Sequence, residues 1–203
     1  WSSDVCSSDL VNGTVELEPF YQIKRGDVVR YKGQVIQPEE RRVYLLMNKP
    51  RGVITTASDE RGRKTVLDLI RNTIKERVFP VGRLDRDTTG LLLLTNDGEL
   101  AQRMSHPSNN LKKIYVASLD KPFTPAHLEQ LRGGLELEDG PVKVDSAHFV
   151  PDSPKTEVMV ELHVGRNRIV RRIFEHLGYE VVKLDRTYLG GLTKKDLPRG
   201  FFR

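Results

Sequence analysis

Two stretches concentrate the side chains that could do chemistry. In residues 80–98, PVGRLDRDTTGLLLLTNDG, two carboxylates (Asp85, Asp87), two guanidiniums (Arg83, Arg86) and two hydroxyls (Thr88, Thr89) precede the apolar run 91–94. That run is bounded by Gly90 and by Asn96-Asp97-Gly98, the pattern of a short strand buried on both faces. A carboxylate held at the mouth of a core strand beside guanidiniums is suited to attack on an electrophile or to proton abstraction. The same residue types also build ordinary turns. The second stretch, 165–177, places Arg168, Arg171 and Arg172 just after Gly165-Arg166-Asn167. Ile169, Val170, Ile173, Phe174 and Leu177 form one apolar helical face, stopped by Gly178. The arginines fall on the other side, where they form either a solvated charged face or a compact anion-binding surface near a helix N-terminus.

Both stretches need a scaffold, and its type is bounded by composition. A chain of 203 residues with 37% hydrophobic and 30% charged residues fits one sizeable globular domain with a small appendage. No apolar run reaches membrane-spanning length. A single cysteine excludes an intrachain disulfide framework and a multi-cysteine metal site. The net charge of +5 leans towards an anionic partner, and the excess is concentrated late, with ten Lys/Arg against five Asp/Glu in 161–203.

Along the chain, residues 1–10 lack apolar periodicity and the hydrophobic core of a secretory signal. They read like the in-frame translation of an adaptor oligonucleotide and are expected to be non-native. Short β-prone pieces separated by Asn12-Gly13 and Gly26-Asp27 predict small hairpins before a polar linker at 38–42. A strand is expected at 43–47, followed by a basic turn at 48–52 whose Lys49 and Arg51 could touch phosphate but, as basic turn residues, are read as solvated. Residues 55–64 are expected to be exposed, and Thr65 to cap a helix over 65–74. Asp97 predicts a cap for a short helix at 99–105, and Thr124-Pro125 the start of another that ends at Gly133-Gly134. Strands are expected at 113–119, 142–150, 156–164 and 181–186. The alternation in 156–164 turns Val158, Val160 and Leu162 inward, and period two puts Lys113 and Tyr115 on one face. His163 has no His or Cys at ligand spacing and is read as an ordinary surface histidine; no metal ligand is assigned.

The run GRLDRDTTGLLLLTNDG resembles the signature of ribosomal-RNA pseudouridine synthases, in the small- and large-subunit family that carries an N-terminal S-four-type RNA-binding domain. The resemblance extends over 11–203. It includes a Lys-x-Tyr motif at 113–115, a Gly-Arg-Asn-Arg-x-Val-Arg-Arg motif at 165–172, and the ending from Leu184 to Arg203. Where the family commonly has Glu, Gln and Trp, this chain has Val164, Ile169 and Phe202. The resemblance implies an α+β catalytic domain at 43–203, with a mixed, largely antiparallel sheet and packed helices. It implies that 11–41 is the last part of the small RNA-binding domain, whose usual two preceding helices do not appear. It further implies Asp85 as the catalytic residue, Arg171 as its ion-pair partner, and Tyr115 stacked on the target uracil. Arg83, Arg86, Lys113, Arg168 and Arg172 are the candidate substrate contacts. The expected activity is a cofactor-free isomerisation of a uridine in ribosomal RNA by a cytoplasmic monomer. The 59–69 segment looks more like the large-subunit branch. Two other readings stand beside this one. Asp85-Arg86-Asp87-Thr88-Thr89 also fits the Asp-x-Asp-x-Thr pattern of aspartate-nucleophile phosphatases, and the basic C-terminal part could serve a non-catalytic RNA-binding module.

Overall fold

Asn12-Gly13 and Lys32-Gly33 both have positive φ, the backbone that two-residue hairpin turns need, and each joins a pair of short strands. The first pair is β1 (Asp9–Val11) and β2 (Thr14–Val15); the second is β3 (Val29–Tyr31) and β4 (Gln34–Ile36). They form an antiparallel sheet in the order β2-β1-β3-β4. The computed structural model describes residues 9–18, 21, 23, 24, 26–36, 41–57 and 59–203. The chain divides into two compact units, Trp1–Arg42 and Val43–Arg203, and this sheet belongs to the first. Residues 1–8 of the segment read as non-native, and 38–40 of the linker, lie outside the described residues. Asp9 and Leu10, grouped with that segment in the sequence reading, pair with Tyr31 and Arg30. Among the described residues of this unit none is fully buried.

The second unit is built on β5 (Tyr44–Lys49), β6 (Phe79–Val81), β7 (Thr88–Thr95), β8 (Lys113–Leu119), β9 (Leu135–Leu137), β10 (Gly140–Val142), β11 (Ser146–Phe149), β12 (Glu157–Leu162), β13 (Val181–Leu189) and β14 (Leu192–Thr193). Among the described residues, its main sheet runs β11-β12-β8-β13-β7-β5, with β14 on β13 and β6 on β7. Only the β7–β13 pairing in that sheet is parallel; the others are antiparallel. The mixed, largely antiparallel sheet expected from the sequence is therefore present, and β9 with β10 makes a separate ribbon.

Strand β7 is buried along its whole length, as an all-apolar run demands. Leu92 and Leu94 pack with Leu45, Met47, Val66 and Ile70 on one face, while Leu91 and Leu93 pack with Leu46, Val81, Ala101 and Leu189 on the other. A third apolar cluster joins β8 and β12 to the helices α2 (Pro125–Gly133) and α3 (Ile169–His176) through Phe123, Leu131, Val158, Val160, Ile173 and Phe174. Asp97 caps α1 (Gly98–Ser105) by accepting from the Leu100 amide, and Thr124 caps α2 by accepting from His127. Gly90, at φ +114°, allows the closest approach in the sheet: a Cβ there would lie 2.3 Å from the Arg186 carbonyl oxygen.

Three elements differ from the sequence reading. The 65–74 segment forms only a 3₁₀ turn, Leu67–Leu69; Thr65 and Asp68 bond to each other's side chains and amides, which closes the turn locally. The strand expected at 142–150 is two strands, because Val142 pairs with β9 whereas Ser146–Phe149 pairs with β12. Helix α3 begins at Ile169 rather than 167, since Arg168 is left-handed (φ 47°, ψ 29°) and cannot continue a helix.

Candidate active site

The start of β7, the start of β8 and the second half of β13 lie side by side in the sheet, and together they floor a cleft of about 460 Å³. Its walls are the 81–85 loop, the end of α1 and the 164–170 entry to α3. Asp85 is the one acid among the described residues that line it, against five bases: Arg83, Lys113, Arg166, Arg168 and Arg186. Tyr115 lines the cleft beside them, on the same strand face as Lys113.

The Asp85 loop is held from behind by a segment that the sequence reading took for solvent-exposed. Lys49 is 0% exposed, and its ammonium donates to the carbonyls of Thr88 (2.8 Å) and Pro50 (3.1 Å), with that of Arg86 at 3.4 Å. The Gly52 amide donates to Arg86 O at 2.7 Å. Thr55, also buried, donates to Leu84 O and accepts from its amide. A turn bond from the Thr88 amide to Asp85 O completes the loop. Burial pushes the Lys49 ammonium down to about 8, while the Asp87 and Asp85 carboxylates pull the other way. The sequence signal was available in part: Asn48-Lys49-Pro50 continues an apolar strand, and the strand carries Lys49 inward.

The expected ion pair between Asp85 and Arg171 is not formed. Asp85, with its side chain 34% exposed, faces Arg168 Nη1 at 3.4 Å. Arg171 is buried instead of lying on the polar face of α3; its Nη1 donates to Val181 O at 2.7 Å and its Nη2 lies 2.9 Å from an oxygen of Asp87. Arg168, left-handed at the entry to α3, stands next to Asp85, while Arg171 turns towards Val181 of β13. Arg172 is also elsewhere, bonded to Asp139, whose carboxyl it holds below the usual range. Arg86 does not line the cleft; its Nε lies 3.4 Å from Gly52 O. Arg83 and Lys113 do line it, although Lys113 already donates to Leu111 O and His163 O. Burial, and then the Arg186 guanidinium, hold the Lys113 ammonium below the usual lysine range.

A family model described as RNA pseudouridylate synthase matches residues 43–176, which include the Asp85 loop, Tyr115 and the arginines of α3. The chain belongs to the RNA pseudouridylate synthase family. It is 42% identical over 194 residues to the ribosomal large subunit pseudouridine synthase B of Bacillus subtilis (strain 168), covering 94% of this chain and 78% of the relative. An uncharacterised RNA pseudouridine synthase of Mycobacterium leprae is 47% identical over 180 residues, covering 87% of this chain and 70% of the relative. A crystal structure of a pseudouridylate synthase superposes with a TM-score of 0.73 at 28% identity, over 97% of this chain and 84% of that one.

Membership in this isomerase family sets aside the phosphatase reading, and the geometry agrees. An aspartate nucleophile of that class needs an apolar strand leading into the motif, whereas here β7 follows it. That class also needs a downstream acidic pair on a metal, and of Glu138-Asp139 here Asp139 is taken up by Arg172 and Arg166. Among the described residues no group of three or more His, Cys, Asp or Glu could hold a metal ion. His163 bonds Asp145 at 2.8 Å.

Proposed function

We propose that this chain isomerises one uridine of large-subunit ribosomal RNA to pseudouridine, with Asp85 as the reacting carboxylate. The observation that carries this is the setting of Asp85: a half-buried acid, alone among bases, in a cleft that Tyr115 also lines. Ribosomal RNA, and the large subunit, are supported by the name of the Bacillus subtilis relative.

The reaction breaks the bond between ribose C1′ and uracil N1, turns the base and joins C1′ to C5. The C5 proton leaves and N1 gains one, so atoms and electrons balance without a redox partner. A uridine stacked in RNA cannot present its C1′ and C5 to Asp85, so the nucleotide is flipped into the cleft. Arg168 places a positive charge 3.4 Å from the Asp85 carboxylate. Arg83, Arg166 and Arg168 around the rim offer charge to the phosphates of the flipped strand. Tyr115 presents the ring on which the base stacks. The reading has the protein act as a monomer, in the cytoplasm where ribosomal RNA of the related bacteria resides. The small N-terminal sheet, with Lys24, Arg30 and Lys32, is proposed to add RNA contacts.

The test is to map pseudouridine in ribosomal RNA from cells with and without the gene. Loss of one pseudouridine from the large-subunit RNA is expected; an unchanged map would overturn the proposal.

A further inference from the structure

We propose that Arg186, with Thr88, reads the pyrimidine edge of the target base. This rests on the functional reading above and names the group that selects uracil. In the sheet register Arg186 lies between Gly90 of β7 and Tyr115 of β8, on the floor of the cleft. It is 4% exposed, yet among the described residues no carboxylate pairs with it; the neighbouring Asp185 is engaged by Lys194 and Thr89. Its Nε donates to Leu91 O at 2.7 Å, and its Nη1 lies 3.5 Å from the Tyr115 hydroxyl. Its Nη2 is buried without a partner, and so is the hydroxyl of Thr88, two residues before Gly90 in the same cleft.

A buried cation with an unmatched donor is costly to keep, and so is a buried unmatched hydroxyl. Two such groups on adjacent strands of one cleft are accounted for if the substrate completes them. A guanidinium can only donate, whereas a threonine hydroxyl can donate or accept. Uracil offers acceptors at O2 and O4 and a donor at N3. Arg186 Nη2 donating to a carbonyl oxygen and Thr88 accepting from N3–H matches that edge. Where Arg186 faces O4, the C4 amine of cytosine would set donor against donor, whereas Thr88 could turn its hydroxyl to donate to cytosine N3, so the discrimination falls on Arg186. The nearby Tyr115 hydroxyl ties the residue that reads the base to the ring on which the base stacks.

The test uses a short synthetic RNA containing the uridine mapped above, made with uridine, 2-thiouridine or 4-thiouridine at that position. Sulfur is a poorer acceptor than oxygen, so the wild-type chain is expected to lose about 10- to 100-fold in kcat/KM on the thio substrate whose sulfur faces Arg186. Arg186→Met should lose a similar factor on uridine, lose nothing further on that thio substrate, and bind the RNA within about threefold of wild type. Arg186→Lys keeps the charge and supplies the comparison if Arg186→Met does not fold. It should show the thio penalty reduced by at least about threefold, because a single ammonium does not reproduce the fork. Penalties from arginine and sulfur that multiply, in whichever variant folds, would overturn the proposal, as would full activity of Arg186→Met. A wild-type chain that makes no pseudouridine in the uridine RNA would instead overturn the functional reading itself.

Discussion

Replacing Lys49 by Met tests whether a buried cation holds the Asp85 loop. The fold lowers the Lys49 ammonium from 10.5 to about 8 because it takes the charge out of water. Below pH 8 the group is charged in both folded and unfolded chains, and the folded state bears the full penalty. Between about 8 and 10.5 the unfolded chain holds the proton while the folded chain releases it, so the stability of the fold rises with pH through this window. A shift of this size corresponds to about 3.4 kcal/mol in all, of which about 2.5 kcal/mol falls between pH 7 and pH 10. Lys49→Met removes that linkage. Its carbonyl partners lose a donor, so at pH 7 the lost hydrogen bonds and the relieved desolvation oppose each other, and the net change is expected to stay within about 3 kcal/mol. Urea unfolding of both chains at pH 7 and pH 10, followed by circular dichroism, reads this directly. Relative to the variant, the wild type should gain about 1 M in midpoint on going to pH 10, for a slope of about 2 kcal/mol per M. Parallel pH dependence of the two chains would refute the assignment of a strained, buried ammonium.

Gly90→Ala places a methyl against the Arg186 backbone and forces a positive φ on alanine, so a loss of about 3 kcal/mol or more is expected by denaturant titration. An unchanged midpoint would show that β7 and β13 can separate freely. Arg171→Met should destabilise by about 1–3 kcal/mol, less than the 3–5 kcal/mol typical of a broken buried pair, because Asp87 is 41% exposed and water can take over its charge. A melting curve separates the two ranges.

The sequence revealed the apolar strands, the capped helices α1 and α2, the Lys113–Tyr115 face and the Asp85 motif, because local periodicity and capping chemistry carry those signals. It did not reveal which arginine meets which carboxylate. Those pairs join the Asp85 loop to α3 across a long stretch of chain, and the left-handed backbone at Arg168 has no signature in the side-chain pattern. Lys49 and Thr55 read as turn and surface residues because nothing local says that a loop some thirty positions later, at 84–88, will close over them. Arg186 sits in a strand of mixed polarity, VVKLDRTYL, where nothing local marks it as buried, and its proposed role rests on the cross-strand register with Gly90 and Tyr115. Long-range pairing supplied what spacing could not.

The central claim, that Asp85 performs the isomerisation, is tested most directly by tritium release from ribosomal RNA labelled at uridine C5. Wild type, Asp85→Asn and Asp87→Asn should be compared at equal RNA occupancy. Release at background is expected for Asp85→Asn, with RNA binding retained. Asp87→Asn should stay within about tenfold of wild type, since its ion pair is partly solvated. Active Asp85→Asn alongside inactive Asp87→Asn would contradict it.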